Sequence, residues 1–164
     1  MHNFTVWVDA DSFPVKARTF LVNLSASNCV PVVFVANHEI KFQVYPTSDV
    51  VKMVLCEKEK DSADNYIFSH CGDNDIVVTR DIVFASRLVN RKVAVMNDRG
   101  LLFSSDNIKD KLREREFSLN MSEIGFGGNK ANYYGTEELR KFSALFESEL
   151  RKHIMISMYN IKRW

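Results

Sequence analysis

Aspartates follow several apolar stretches of this sequence, at positions where a folded chain could gather them around a divalent cation. One short apolar run ends at Asp9, and Asp81 closely follows another, as residues at the tips of buried strands do. The carboxyl ends of parallel strands meet at one edge of a sheet, where α/β proteins bind their ligands. We therefore predict a metal site at that edge, formed by Asp9, Asp64 and Asp81.

Oxygen ligands of this kind suit Mg²⁺ or Mn²⁺, which we predict as the cofactor. A bound cation relieves the repulsion between clustered carboxylates, and it can activate water and stabilise a phosphoryl transition state. Asp11 could orient the attacking water, so we count it as catalytic together with the three predicted ligands. The secondary candidates are Asp61, which shares a helix face with Asp64, Asp98, and Thr79, whose hydroxyl could bond a carboxylate or a phosphate.

Helix capping is the alternative interpretation of each aspartate taken alone, because a carboxylate before a helix often accepts from the free backbone N–H groups of the first turn. Asp61 best fits a pure cap, since it directly precedes Ser62 at a predicted helix start. Asp98 fits a turn, because Asn97-Asp98-Arg99-Gly100 has turn chemistry. The coincidence of the three predicted ligands at one sheet edge is what favours a metal.

Alternating apolar segments supply the elements that would position these residues. Their order is strand, helix, strand, strand, helix, strand, helix, strand, which predicts an α/β fold with a mostly parallel sheet and helices on both faces. Asp11 or Ser12 could cap the first helix. The predicted strands are 4–8, 31–36, 50–55, 76–79 and 93–96, and the predicted helices are 12–28, 62–71 and 82–90.

The last third of the chain is predicted to hold two helices around a polar loop. Thr136 is the expected cap of the second helix, which is amphipathic. The glycine-rich segment 125–135 could be a lid or a dimer contact, and the apolar, basic tail ending at Trp164 could dock on the sheet or on a second subunit, so a homodimer is one expectation. We predict one domain, 1–164, with an α/β core at 1–100 and a C-terminal part at 101–164, in which the helices are 105–117 and 136–153 and the loop is 120–134.

Composition narrows the classes of protein. The chain has 164 residues, 46% of them hydrophobic and 26% charged, which is ordinary for a globular protein. Its three cysteines lack C-x-x-C spacing, which disfavours a disulfide framework and suits a reducing cytoplasm. With no secretory leader and no apolar stretch near the roughly 18 residues of a membrane span, we expect a cytoplasmic protein without a membrane partner. No phosphate-binding loop, Ser-His-Asp or Cys-His pattern competes with the aspartates.

Seven short motifs follow one another along the chain: Val6-Trp7-Val8-Asp9-Ala10-Asp11, Pro14-Val15-Lys16, Val35-Ala36-Asn37, Asp61-Ser62-Ala63-Asp64-Asn65-Tyr66-Ile67, Val78-Thr79-Arg80-Asp81, Asn97-Asp98-Arg99-Gly100 and Gly127-Gly128. With them the chain resembles, over nearly its whole length, the YaiI/YqxD family, bacterial proteins of uncharacterised function similar in fold to PIN-like nucleases. The resemblance implies a PIN-like three-layer α/β/α sandwich. It also implies that Asp9, Asp64 and Asp81 match the metal-binding positions of PIN nucleases, with Asp11 and Asp61 nearby.

Three positions depart from the usual pattern of that family. Asp98 stands where the family usually has proline, and it could add the fourth carboxylate that PIN nucleases often have. Arg80 replaces a small residue, and it could contact a phosphate or weaken metal binding. Asn129 follows Gly127-Gly128 where proline is usual, which leaves that loop without an assigned role.

The distribution of charge bears on the substrate. Residues 49–81 carry eight acidic and four basic side chains, whereas residues 140–164 carry six basic and two acidic ones with aromatics among them. An acidic pocket rimmed by cations and aromatics suits a phosphodiester, and we assign phosphate binding to Arg80 and Arg99. The leading hypothesis is a metal-dependent phosphodiesterase or nuclease of PIN-like type that acts on RNA, with DNA as the other polynucleotide partner.

Two other functions stay open at this point. A strand followed by Asp-x-Asp also opens the haloacid-dehalogenase-like phosphatases, in which Asp9 would attack phosphorus and Asp11 would act as the acid. That family wants threonine or valine where this chain has Phe13, and no Asp-Asp pair follows downstream. The chain could instead be a nucleic-acid-binding or protein-binding module that keeps an acidic pocket without turnover.

Overall fold

A computed structural model describes residues 2–41, 49–126 and 133–159 of the chain. Within these ranges the backbone forms six strands and five helices, which alternate through most of the chain as predicted. In chain order they are β1 (Val6–Asp9), α1 (Val15–Asn28), β2 (Val32–Ala36), β3 (Val51–Leu55), α2 (Ser62–His70), β4 (Ile76–Val78), α3 (Ile82–Asn90), β5 (Ala94–Met96), β6 (Leu102–Phe103), α4 (Ile108–Glu123) and α5 (Thr136–Tyr159).

The six strands form one sheet in the order β3-β2-β1-β4-β5-β6. Neighbouring strands are parallel, except that β6 runs antiparallel to β5. In the centre, Val8 of β1 lies opposite Phe34 of β2 on one side and Val78 of β4 on the other. The chain builds outward from β1 through β3 and then returns to build outward from β4. This reversal of strand order opens a crevice at the carboxyl ends of β1 and β4.

Helices cover both faces of the sheet. One face packs against α1 and α5, with Leu21, Phe142 and Phe146 fully buried between the layers. The other face packs against α2, α3 and the start of α4, where Ile67 and Phe84 are buried. Every residue of β2 is buried, as expected for a strand covered on both sides. The predicted three-layer α/β/α sandwich with a mostly parallel sheet is confirmed.

The C-terminal third differs from its prediction in three elements. The strand β6 was not predicted, because two residues are too few to show a period. Helix α4 continues to Glu123, so it occupies the start of the segment predicted as a loop from Asn120. Helix α5 continues past His153, the predicted end, to Tyr159.

The start of α5 also differs in detail. Thr136 is the first residue of the helix rather than its cap, and the side chain of Glu138 accepts a hydrogen bond of 2.9 Å from the backbone N–H of Gly135. No helix in the described ranges is long and apolar enough to cross a lipid bilayer. Three segments for which a role was predicted or discussed lie outside the described ranges: the paired glycines Gly127-Gly128, Asn129 and the tail 160–164.

Candidate functional site

A cavity of about 450 Å³ lies at the carboxyl ends of β1 and β4, in the crevice where the strand order reverses. We call it the acidic pocket, because aspartates from three parts of the chain line it. The end of β1, the start of α2 and the start of α3 supply them. They are Asp9, Asp11, Asp61, Asp64 and Asp81, which are all the predicted aspartates except Asp98.

The tightest group in the acidic pocket comprises Asp61, Asp64 and Asp81. One carboxylate oxygen of each lies within 4.8 Å of the corresponding oxygens of the other two. This group keeps two of the predicted ligands but has Asp61 in place of Asp9. Asp9 is its immediate neighbour, since its carboxylate is hydrogen-bonded to that of Asp64. Carboxylate oxygens at this spacing are a donor set that suits a hard divalent cation.

The hydrogen bond between Asp9 and Asp64 requires a proton. Burial, followed by the negative charges of Asp9 and Asp81, raises the pKa of Asp64 to about 8. Burial also raises the pKa of Asp9, although hydrogen bonds from Thr79 and Asp64 act in the opposite direction. At neutral pH Asp64 therefore carries the proton and donates it to the Asp9 carboxylate.

The buried hydroxyl of Thr79 fixes two of these aspartates. It donates to Asp9 Oδ2 at 2.9 Å and accepts from the backbone N–H of Asp81 at 3.0 Å. A carboxylate is one of the two partners predicted for Thr79; its contact with a phosphate stays a prediction. Asp81 in turn accepts the backbone N–H of Phe84 at 3.0 Å through Oδ1, which caps α3. Capping and pocket lining are not alternatives for Asp81, because it does both.

Asp61 is not the pure cap that was predicted. It holds the N-cap position of α2, but its side chain makes no capping hydrogen bond and lines the acidic pocket instead. Its backbone has a φ of 60°, a left-handed conformation that is uncommon for a residue with a side chain. This conformation is why the capping signature in the sequence was misleading.

Asp11 lies at the border of the acidic pocket next to β2. Its Oδ1 accepts the backbone N–H of Asn37 at 2.7 Å, and Nδ1 of His38 lies 3.4 Å from the same oxygen. The predicted capping of α1 by Asp11 or Ser12 is wrong, because Pro14 is the N-cap residue and no side chain caps that helix. The carboxylate of Asp11 is instead held by the neighbouring loop.

Two arginines border the acidic pocket. Arg80 donates from Nε to Asp98 Oδ2 at 2.6 Å, and Asp98 is only 1% exposed. Asp98 lies in a turn, as predicted, but it supports Arg80 and does not add a fourth carboxylate to the pocket. Arg115 comes from the exposed part of α4 and was not predicted. That helix carries many acidic and basic residues, and no sequence pattern distinguishes Arg115 from the others. Arg99 lies outside the acidic pocket, and its Nη2 donates to the carbonyl of Tyr133 at 2.9 Å.

These features define an α/β protein with an aspartate cluster at the carboxyl edge of its sheet. The sequence model described as "Uncharacterized BCR, YaiI/YqxD family" matches residues 7–152. A UPF0178 protein of Treponema denticola is 38% identical over 147 residues, which cover 90% of this chain and 92% of that protein. A UPF0178 protein of Bacillus velezensis is 35% identical over 158 residues, covering 96% and 92%. The chain belongs to the YaiI/YqxD family. No solved structure matches it.

Proposed function

We propose that this chain is a metal-dependent phosphodiesterase, a PIN-like nuclease that acts on RNA. The observation that carries the proposal is the group of Asp61, Asp64 and Asp81, whose oxygens lie within 4.8 Å of one another in a cavity at the strand-order reversal. Arg80 and Arg115 border the same cavity. Clustered carboxylates suit a divalent cation, and arginines suit a phosphate. The cavity can therefore accept the metal and the phosphate of a phosphodiester side by side.

The residues of the acidic pocket fit Mg²⁺ or Mn²⁺. The raised pKa of Asp64 supports this, since clustered carboxylates that lack a cation take up protons instead. Asp64 and Asp81 would be the central ligands, with Asp61 and Asp9 beside them. When bound, the cation supplies a lowered pKa for water and charge stabilisation for a phosphoryl oxygen.

Other residues of the pocket have roles that follow from their contacts. Oδ1 of Asp11 accepts a hydrogen bond from the backbone N–H of Asn37, and its second oxygen can orient the attacking water. Arg80 is held through Nε by buried Asp98, so its terminal N–H groups can neutralise charge on the phosphate. Thr79 keeps Asp9 in place through its hydroxyl and is a positioning residue.

The contacts of Asp9 weigh against the phosphatase alternative. An aspartyl nucleophile needs an accessible carboxylate, yet the side chain of Asp9 accepts hydrogen bonds from both Thr79 and Asp64. The non-catalytic binding module is distinguished by the experiment below.

Single carboxylate-to-amide substitutions test the proposal. Asp64→Asn and Asp81→Asn should each lower Mn²⁺-dependent cleavage of labelled single-stranded RNA by about 100-fold or more, because each removes charge from the tight group at almost constant volume. Asp73→Asn is the matched control, since Asp73 is exposed in the turn before β4, at the opposite edge of the sheet. Circular dichroism would check that all three variants fold.

Full activity of both variants would contradict the proposal. Binding of RNA that chelator leaves unchanged, with no cleavage in any divalent cation, would favour the binding module instead. Cleavage of DNA at the same rate as RNA would keep the nuclease and remove the preference for RNA.

A further inference from the structure

A second cavity, of about 420 Å³, adjoins the acidic pocket and shares Arg80 and Ile82 with it. It lies between the turn that follows β5 and the first part of α4, and we call it the flanking cavity. Arg99, Leu101 and Lys111 also line it. Its volume falls within the range of cavities that bind small organic groups, about 300–1,000 Å³.

The flanking cavity carries the opposite charge from the acidic pocket. Its cations are Arg80, Arg99 and Lys111, against the carboxylates of Asp98 and Glu114. Arg99 has its own counter-ion outside the cavity, since its Nη1 lies 3.8 Å from Oε1 of Glu138. Asp98 is bound to Arg80, and Glu114 lies 3.1 Å from Lys111 with 65% of its side chain exposed to solvent. Screening by solvent weakens such an exposed pair, so the ammonium group stays available to an anion.

One side of the flanking cavity is apolar. Leu101, which precedes the short strand β6, and Phe103, the last residue of that strand, line it together with Ile82. Asn97 lies beside them, and its Oδ1 accepts the backbone N–H groups of Arg99 and Leu101 at 3.0 and 2.9 Å. Within the described ranges its Nδ2 has no hydrogen-bond partner, so an amide donor is available next to the apolar side. An apolar surface with a nearby amide and cations suits a nucleobase and its phosphate.

We infer that the flanking cavity binds the nucleotide adjacent to the phosphodiester held in the acidic pocket, so the substrate is a single-stranded polynucleotide rather than a small phosphate ester. The inference rests on the proposed function. The base lies against the partly exposed side chains of Leu101 and Ile82, and the next phosphate lies between Arg99 and Lys111. Arg80, which lines both cavities, stands between two successive phosphates of the strand.

Binding of oligonucleotides tests the inference without cleavage. Fluorescence anisotropy would measure the affinity of an oligonucleotide of about eight nucleotides and of a dinucleotide, with Ca²⁺ in place of Mg²⁺. The wild type should bind the longer strand more tightly. Combining Arg99→Gln with Lys111→Gln should weaken that binding about tenfold and reduce the slope of log affinity against log salt by about 1.4, because two phosphate contacts are lost.

Arg113→Gln is the control, since Arg113 is an exposed cation of the same helix that pairs with Asp110 and lies outside the cavity. Lys111→Gln alone, on the surface of α4, keeps the test valid if the double variant does not fold. It should still weaken binding of the longer strand about threefold. Equal losses in Arg113→Gln and Lys111→Gln would overturn the inference, as would equal affinity of the wild type for both oligonucleotides.

The test separates this inference from the proposed function. Length-dependent binding through the cavity, without cleavage in any divalent cation, would uphold the inference and remove the nuclease. Cleavage of bis(4-nitrophenyl) phosphate or RNA, with oligonucleotide affinity unaffected in the double variant, would uphold the proposed nuclease and overturn the inference.

Discussion

At the scale of single residues, the acidic pocket is governed by repulsion between carboxylates. Asp64 is buried against Asp9 and Asp81. Its pKa is raised because burial and the neighbouring negative charges disfavour its ionised form. Thr79 offsets part of this cost at Asp9 by donating a hydrogen bond. A cation and a proton therefore compete for the same oxygens, and pH should control both stability and metal binding.

The stability of the metal-free protein should depend on the ionisation of Asp64. The folded state holds this proton with a pKa of about 8, whereas the ordinary value is 3.8. Because the folded state binds the proton more tightly than the unfolded state does, the free energy of unfolding should fall as the pH rises from about 4 to about 8. Urea denaturation in chelator, at several pH values, would measure this slope.

Asp64→Asn is the informative comparison, since its amide stays neutral and can still donate to Asp9. Its stability should vary less with pH than that of the wild type, and above pH 8 it should exceed the wild type in chelator. Asp73→Asn should keep the slope of the wild type. Parallel profiles for the wild type and Asp64→Asn would show that Asp64 ionises normally in the folded state.

At the scale of elements, the sequence predicted the parts of the site that strands deliver. Asp9 ends β1, and Asp81 follows the end of β4 by three residues; a short apolar run followed by a carboxylate is a strong local pattern. Asp61 was misjudged because its backbone is left-handed and its side chain makes no capping hydrogen bond, which a capping pattern in the sequence does not predict. Arg115 was missed because long-range packing of α4, not local sequence, brings it to the pocket.

The turn between β5 and β6 illustrates such long-range packing. Gly100 has a φ of +84°, and a Cβ atom there would lie 2.8 Å from the backbone of Lys141 in α5. Gly100→Ala should therefore lower the free energy of unfolding by about 1–2 kcal/mol through backbone strain and by about 1–3 kcal/mol more through overpacking. Guanidinium denaturation would measure the loss.

Gly125→Ala provides a matched control for that substitution. Gly125 has the same φ of +84°, but no atom of the described residues lies within 4 Å of the position that its Cβ atom would occupy. Only the strain term, about 1–2 kcal/mol, should be lost there. Equal losses at the two glycines would mean that the close approach of α5 to the turn does not contribute.

At the scale of the whole molecule, the reversal of strand order places two cavities of opposite charge side by side at the carboxyl edge of the sheet. Arg80 lies between them and is bound to Asp98, which follows β5. The aspartates of the acidic pocket lie on both sides of the reversal, since Asp9 ends β1 and Asp81 follows β4. A ligand that joins them should stabilise the fold as a whole.

Thermal unfolding would detect that effect without any substrate. At Mn²⁺ about 100-fold above the dissociation constant, binding to the folded state alone should add about 2.7 kcal/mol, or about 5–10 °C for a chain of this size. Asp81→Asn should lose most of the shift and Asp73→Asn should retain it, since only the former removes an oxygen of the tight group. The shift should also shrink at acidic pH, where protons occupy the carboxylates. An equal shift in both variants would place the bound Mn²⁺ elsewhere on the protein and remove the metal ligands from the proposed nuclease.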